Sequence, residues 1–92
     1  MNRREHLLTI LGEECSELHQ VCCKTLRFGI QDKHTGETKL DWLNAEFNDL
    51  LAMIEMLKGE GIIMERNEDA IAAKILKVEH FLLESKAKGT LQ

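Results

Sequence analysis

Proline is absent from this 92-residue sequence, and aromatic residues make up only 4% of it. Valine is also scarce, so the residues that favour β-strands are largely missing and the pattern is helical throughout. The three cysteines include the adjacent pair Cys22 and Cys23, which implies no disulfide framework and lacks the C-x-x-C spacing of a zinc site. We therefore expect an all-α protein with free thiols, as is usual in a reducing compartment.

Basic residues are outnumbered by acidic ones. Twelve Lys and Arg stand against sixteen Asp and Glu, which gives a formal net charge of -4, and the two signs are mixed along the chain. No basic stripe is present for a nucleic-acid polymer, and no apolar run is long enough for a membrane span. The first residues enter an amphipathic pattern without the form of a signal peptide. We expect a cytoplasmic location, with neither a nucleic-acid polymer nor a membrane as partner.

The chain is expected to form one domain, residues 1–92, with three main helices. Asn2 followed by Glu5 is typical of an N-cap with its capping-box partner, and Asn67 before two acids is a second N-cap. The apolar residues of segment 30–39 follow neither a helical nor a strand period. This segment is expected to form a loop, and its length suggests a functional role. The predicted helices cover about residues 3–27, about residues 40–58, and from the cap at Asn67 to about residue 88.

The middle helix is apolar around nearly its whole circumference. These residues are Leu50, Leu51, Ala52, Met53, Ile54, Met56 and Leu57. Such a helix is buried on all sides, and two other helices of one chain cannot cover it completely. A chain this short also has a marginal core of its own. We predict a helical bundle completed by a symmetric partner subunit, as a homodimer or homotetramer.

Two acidic clusters interrupt the apolar seams of the first two helices. In heptad order the seams read Leu7, Leu11, Glu14, Leu18, Val21 and Leu43, Glu46, Leu50, Met53, Leu57. Glu17 and Asp49 follow the two seam glutamates by three residues, one turn along the same face. A buried carboxylate is costly unless it is paired or binds a metal. Although either cluster alone is more often a solvated helix face, the pair predicts four carboxylates that converge on a divalent cation.

The ligand set of this predicted site consists of oxygen alone. Hard oxygen ligands favour Mg²⁺, or Mn²⁺ in its place, over iron or zinc. A di-iron bundle would use Glu-x-x-His on its helices, and none of the four histidines has a glutamate three residues before it. Redox chemistry is therefore not expected.

The acidic motif resembles a known family. The chain reads Glu13-Glu14-Cys15-Ser16-Glu17, then a gap of 28 residues, then Glu46-Phe47-Asn48-Asp49. This order, E-E-x-x-E followed by E-x-x-D, is similar to that of the MazG-like all-α nucleoside triphosphate pyrophosphohydrolases. The apolar stretch 50–57 resembles the second helix of this family. The tail that includes Gly89-Thr90-Leu91 resembles that of the short, phage-encoded members, so the resemblance covers most of the chain.

The resemblance implies a function and a set of roles. The reaction would convert a nucleoside triphosphate, often a deoxynucleotide, to the monophosphate and pyrophosphate. Glu14, Glu17, Glu46 and Asp49 would be the Mg²⁺ ligands. Glu13, the leading acid of the motif, would orient a water or hold a further metal, unless it is only a solvated neighbour.

Phosphate contacts require cations near the carboxylates. Lys74 and Lys77, an i, i+3 pair on the third helix, are the first candidates, followed by Arg27 and Lys24 on the first helix. Any one such charge is more often a solvated surface group. Trp42 lies one turn before Glu46 and would stack on a base or anchor the core or an interface.

Two other functions fit the pattern. The first is a non-catalytic helical dimer, an interaction module in which the acids form interchain ion pairs. The second is a nucleotide-binding regulator that does not turn its ligand over. The first two helices carry no basic residue on the seam positions, and all four acids are present, so hydrolysis is the leading hypothesis.

Overall fold

A computed structural model describes residues 1–92, except for the side chain of His34. The helices are α1 (Arg3–Phe28), α2 (Lys39–Gly59) and α3 (Glu68–Ala87), and a two-stranded hairpin, β1 (Lys33–His34) and β2 (Glu37–Thr38), connects α1 to α2. The predicted all-α class with three main helices is confirmed, and each predicted boundary lies within one residue of the observed one. Among the described residues, none of the helices is both long and apolar enough to cross a membrane.

Side-chain caps begin all three helices. The Asn2 side chain accepts a hydrogen bond from the backbone N–H of Glu5, and Asn67 accepts one from Ala70, each at 2.9 Å. Both N-caps are therefore as the sequence predicts. Thr38 begins α2 with a reciprocal capping box to Asp41, with contacts of 2.9 and 3.0 Å. Such caps satisfy backbone N–H groups that have no partner inside the helix.

The segment between α1 and α2 is more ordered than the irregular loop expected over residues 30–39. β1 and β2 pair antiparallel, with Lys33 opposite Thr38. The turn places Thr35 at φ 52° and Gly36 at φ 86°, and two consecutive left-handed residues are the requirement of a tight hairpin turn. Two-residue strands are too short to show alternation in the sequence, so the predicted loop contains a strand pairing that the sequence did not indicate.

α1 and α2 pack together as an antiparallel pair. Leu7 near the start of α1 meets Met53 and Leu57 near the end of α2, and Leu57 is fully buried. Arg3 forms an ion pair with Glu60 at the same end. The partly buried residues Ile10, Leu11 and Ile62 pack against this apolar cluster. The main hydrophobic cluster therefore occupies one end of the helix pair, and Val21, the other buried apolar residue, lies beyond the middle of α1.

α3 buries none of its residues in this chain. Its large apolar side chains are exposed, with Leu76 at 72% and Leu83 at 68%. The sequence predicts an apolar seam of Ile71, Ile75, Val78 and Leu82 on this helix, and only Ile71 among them is even half-buried. Within one chain, therefore, the seam of α3 does not form part of the core.

Candidate functional site

Four carboxylates meet where the middle of α1 crosses the middle of α2. Ligand atoms of Glu14 and Glu17 on α1, and of Glu46 and Asp49 on α2, all lie within 4.8 Å of one another. The i, i+3 spacing places each pair on one face of its helix, and the antiparallel packing turns the two faces toward each other. The structure thus brings together the four acids that the sequence analysis selected as metal ligands, and we call this group the acidic cluster.

The two seam glutamates are the inner members of the acidic cluster. Glu14 and Glu46 are half-buried, whereas Glu17 and Asp49 are exposed. One carboxylate oxygen of each inner residue, Oε2, is inaccessible to solvent and has no hydrogen-bond partner among the described residues. Buried polar atoms are normally satisfied, so these two oxygens call for a physical explanation.

Burial and like charge both act on the inner glutamates. Desolvation raises the pKa of Glu14, and the neighbouring carboxylates Glu17 and Asp49 raise it further. The pKa of Glu46 is raised in the same way, by desolvation first and then by Glu17 and Asp49. In the absence of a cation, the site therefore disfavours the fully ionised form of the acids that it gathers.

The acidic cluster fits a hard divalent cation. Its donors are carboxylate oxygens alone, which suit Mg²⁺ or Mn²⁺ better than soft or redox metals. A cation between the two helices would give the orphaned Oε2 atoms of Glu14 and Glu46 a partner and would remove the repulsion that raises their pKa values. The exposed Glu17 and Asp49 leave one side of the site open to a ligand from solvent.

A cleft adjoins the acidic cluster on the side away from the apolar core. Its volume is about 470 Å³, and Glu17 and Glu46 belong both to its lining and to the acidic cluster. The other lining residues are Gln20, Val21, Lys24, Trp42 and Ala45. The helix pair thus carries an apolar cluster, an acidic layer and a mixed cleft in succession along its length.

Trp42 forms one wall of this cleft and is contacted by cations and by an acid. Its indole Nε1 donates a hydrogen bond of 3.0 Å to Glu37 Oε2 of β2. The Nζ atoms of Lys39 and Lys24 lie 4.2 and 5.7 Å from the centre of its rings. Lys24 and Trp42 are thus the two predicted substrate-binding residues that line the cleft, and their substrate roles stay predictions.

The remaining predicted site residues lie outside the cleft. Glu13 is exposed and is not one of the four converging acids, although its charge makes a small contribution to the raised pKa of Glu14, after burial and the other acids. The Arg27 guanidinium lies over the Phe28 ring at 5.3 Å. On α3, Lys74 lines a second cavity, and Lys77 Nζ lies 5.8 Å from the Phe81 ring. Within one chain, neither of these lysines lines the cleft.

Two residues near the cleft were missed by the sequence analysis. Gln20 lines the cleft one turn beyond Glu17, and its i, i+3 spacing from that acid could have indicated its position. Lys39 was expected to be a loop cation, but it is the first residue of α2 and is buried, at 4% exposure. No spacing along the chain marked this lysine as covered.

Comparison of the chain with protein-family profiles, with curated proteins and with solved structures finds no match. A functional interpretation therefore rests on the residues of the acidic cluster and the cleft, and on the resemblance of the acidic motif.

Proposed function

We propose that this protein is a Mg²⁺-dependent nucleoside triphosphate pyrophosphohydrolase. The substrate would be a ribo- or deoxynucleoside triphosphate, and the products its monophosphate and pyrophosphate. The convergence of four carboxylates within 4.8 Å, two of them with a buried and unpartnered oxygen, is the observation that carries the proposal. The order of these acids along the chain, which resembles that of the MazG-like pyrophosphohydrolases, supports it.

The acidic cluster costs the folded chain stability, and a function would explain why it is there. Desolvation and mutual repulsion raise the pKa values of Glu14 and Glu46, so their ionised forms are disfavoured in the metal-free fold. A divalent cation held by Glu14, Glu17, Glu46 and Asp49 would reverse that balance. When bound, Mg²⁺ would neutralise charge on the phosphates and lower the pKa of the attacking water.

Catalysis of this reaction requires the protein mainly to position the substrate and to neutralise the charge on its phosphates. The water oxygen bonds to the α-phosphorus while the bond to the oxygen that bridges the α- and β-phosphates breaks. Pyrophosphate leaves with that oxygen, and the proton that the water loses passes to solvent. Glu13 is proposed to orient this water from the exposed side of α1. No covalent nucleophile is needed, because water attacks directly.

The cleft beside the acidic cluster has features that suit a nucleotide. Its roughly 470 Å³ is within the range of small-molecule sites. Trp42 supplies an aromatic wall on which a base can stack, and the Lys24 ammonium supplies a positive charge for a phosphate. The lining therefore offers both an aromatic surface and a cation within reach of the proposed metal site.

A second copy of the chain is proposed to complete the bundle. The chain exposes 7312 Å², about 1,800 Å² more than the roughly 5,500 Å² that a compact monomer of its size exposes. Its radius of gyration is 16.8 Å, against about 12 Å for a compact domain. An obligate homodimer buries about 1,000–2,500 Å² per chain, so the excess surface matches one such interface.

The substrate roles predicted for Lys74 and Lys77 depend on that partner. α3 of the same chain does not bring either lysine to the cleft, whereas α3 of a second copy could reach it. Arg27 remains a candidate phosphate contact at the end of α1. Sedimentation of the purified protein tests the assembly, and a monomer at micromolar concentration would contradict it.

Pyrophosphate release from a panel of nucleoside triphosphates, with and without Mg²⁺, tests the proposed activity. Glu17→Ala and Asp49→Ala remove the two exposed acids of the cluster with the least change to the fold. We expect both variants to lose hydrolysis. Full activity in both would show that the acidic cluster is not the site, and no release from any triphosphate by the wild-type protein would contradict the function itself.

A further inference from the structure

Lys39 is the deeply buried charged side chain in the described part of the molecule, and the proposed reaction does not use it. Only 4% of the residue is exposed. Its Nζ forms an ion pair with Asp32 Oδ2 at 3.3 Å, and the Asp32 side chain is itself 42% exposed. Burying a lysine is costly unless its charge is compensated, and one half-solvated carboxylate is a modest compensation.

The rest of the compensation comes from aromatic rings. Lys39 Nζ lies 4.2 Å from the centre of the Trp42 rings and 5.7 Å from the centre of the Phe28 ring. Both distances fall within the range of cation–π attraction, which is strongest when the cation is desolvated. Lys39 thus joins the last residue of α1 to the first turn of α2, and its closest ring contact is with the wall of the cleft.

The hairpin contacts the same indole at its edge. Glu37 of β2 accepts the hydrogen bond from Trp42 Nε1 at 3.0 Å. The base of the hairpin is closed by backbone bonds from the N–H of Lys39 to Asp32 O at 3.1 Å and from Leu40 to Ile30 O at 3.2 Å. Trp42 is therefore held by a hydrogen bond at its edge and by a buried cation over its rings.

We propose that Lys39 is a positioning residue for the cleft: it holds the Trp42 indole in the orientation in which the ring can receive the base of a nucleotide. The substrate part of this inference rests on the proposed function. Lys39 does not line the cleft itself. It acts through Trp42, and the hairpin becomes part of the binding site because it supplies both Asp32 and Glu37.

Trp42 is the single tryptophan of the chain, so its fluorescence reports the orientation of the cleft wall directly. Lys39→Met keeps an unbranched side chain that is one atom shorter and removes its charge. We expect the nucleotide-free variant to show a shifted Trp42 emission and stronger quenching by acrylamide than the wild type. With substrate, we expect a rise in KM on the order of tenfold, the scale of one desolvated cation–π contact, with little change in kcat.

Matched variants separate positioning from a general loss of structure. Lys33→Met removes an exposed lysine of the same hairpin and should leave both emission and KM unchanged. Lys39→Arg keeps the cation and should restore most of the KM. Asp32→Asn removes only the partly exposed ion-pair partner, so it provides a milder variant if Lys39→Met does not fold, with a smaller change in the same direction.

The outcomes distinguish this inference from the proposed function. Unchanged emission and quenching in both Lys39→Met and Asp32→Asn would overturn the positioning role, as would a loss of kcat at constant KM. Equal effects in Lys33→Met would also overturn it. If the wild-type protein hydrolyses no nucleotide, the proposed function fails, and the emission and quenching of the nucleotide-free variants still decide whether Lys39 positions Trp42.

Discussion

Two carboxylates five residues apart on α2 are in opposite physical situations. Asp41, in the first turn, accepts a hydrogen bond from the backbone N–H of Thr38, and this bond, with one from the Thr38 side chain, lowers its pKa. Glu46, in the middle of the helix, has a buried oxygen without a partner, and burial raises its pKa. The same chemical group therefore stabilises the fold at one position and opposes it at the other.

The difference in pKa distinguishes an acid that stabilises the fold, Asp41, from acids that destabilise it, Glu14 and Glu46. Asp41 completes a capping box, a structural role that accounts for its presence. Glu46 and Glu14 have no comparable role in folding, because leucine at either seam position would extend the apolar core. Residues that cost stability at a cleft are candidates for function.

The largest effect on activity is expected when one of these two destabilising glutamates is replaced by an uncharged residue. Glu46→Gln keeps the size of the side chain and removes a proposed Mg²⁺ ligand. We expect pyrophosphate release to fall by at least about 100-fold, because a bound metal ion contributes several kcal/mol of charge stabilisation. The same variant, without metal, should melt roughly 2–8 °C higher than the wild type, because a desolvated charge is gone.

Glu55→Gln is the matched control for this variant, because Glu55 is an exposed glutamate on the same helix. It should change neither activity nor melting temperature measurably. A Glu46→Gln variant that is both fully active and no more stable than the wild type would remove the contrast between the two regions of α2.

Addition of Mg²⁺ should offset the destabilisation of the fold by the acidic cluster. A ligand that binds only the folded state at 100 times its Kd adds about 2.7 kcal/mol to the free energy of unfolding. For a domain of this size, that corresponds to a rise in Tm of about 10 °C or more. Melting curves with Mg²⁺ and with EDTA measure it, and Asp49→Ala should abolish most of the shift. Interchain ion pairs, by contrast, would give almost no dependence on Mg²⁺.

In the metal-free protein, the contributions of the acidic cluster and of the capping box to the free energy of unfolding should change with pH in opposite directions. For Glu14 and Glu46 the folded pKa is raised, so the folded state binds more protons than the unfolded state above about pH 4.3, and stability falls as pH rises through that window. For Asp41 the folded pKa is lowered, so its contribution is present above about pH 3.9 and is lost as pH falls.

Denaturant unfolding of the wild-type protein and of Glu46→Gln, in EDTA from about pH 4 to pH 8, tests the expected direction for Glu46. The free energy of unfolding of the variant should exceed that of the wild type by an amount that increases as pH rises. The difference should become small at the acid end of the range. A difference that is constant across the range would contradict the raised pKa of Glu46.

The smallest effect is expected at the capping box. Thr38→Ala removes the acceptor for the Asp41 N–H and should reduce the free energy of unfolding by about 1 kcal/mol. Mg²⁺ should still stabilise this variant by the same amount as the wild type, because the cap is not part of the acidic cluster. A lost Mg²⁺ response in Thr38→Ala would mean that the two regions of α2 are coupled.

The acidic cluster could be predicted because it depends on local periodicity. The caps Asn2 and Asn67 fixed two helix starts, and a seam interrupted by Glu14 or Glu46 identifies its own face of the helix. Because each interruption lies near the middle of its helix, antiparallel pairing of the two seams brings the acids together. Helix boundaries and the face of each acid follow from spacing along the chain, so no long-range information was needed.

The hairpin and the burial of Lys39 depend on contacts that spacing does not encode. A lysine beside other charges is ordinarily solvated, and Lys39 is covered only because Phe28 and Trp42, from two different helices, close over it. The seam of α3 was identified, but nothing in its pattern states which surface covers it. Metal binding, hydrolysis and the partner subunit remain predictions.

α3 has a consequence for how the protein should be handled. It contains 20 residues, close to the 21 of α2, yet none of them is buried within its own chain. In proteins, most of the stability of a helix comes from the packing of its amphipathic face and not from its intrinsic propensity. Under the proposed assembly, the helical state of α3 depends on the second copy that covers it, and therefore on protein concentration. Strong dilution would unwind α3 before it disturbed the acidic cluster, and the circular-dichroism signal would fall while α1 and α2 still held their carboxylates together.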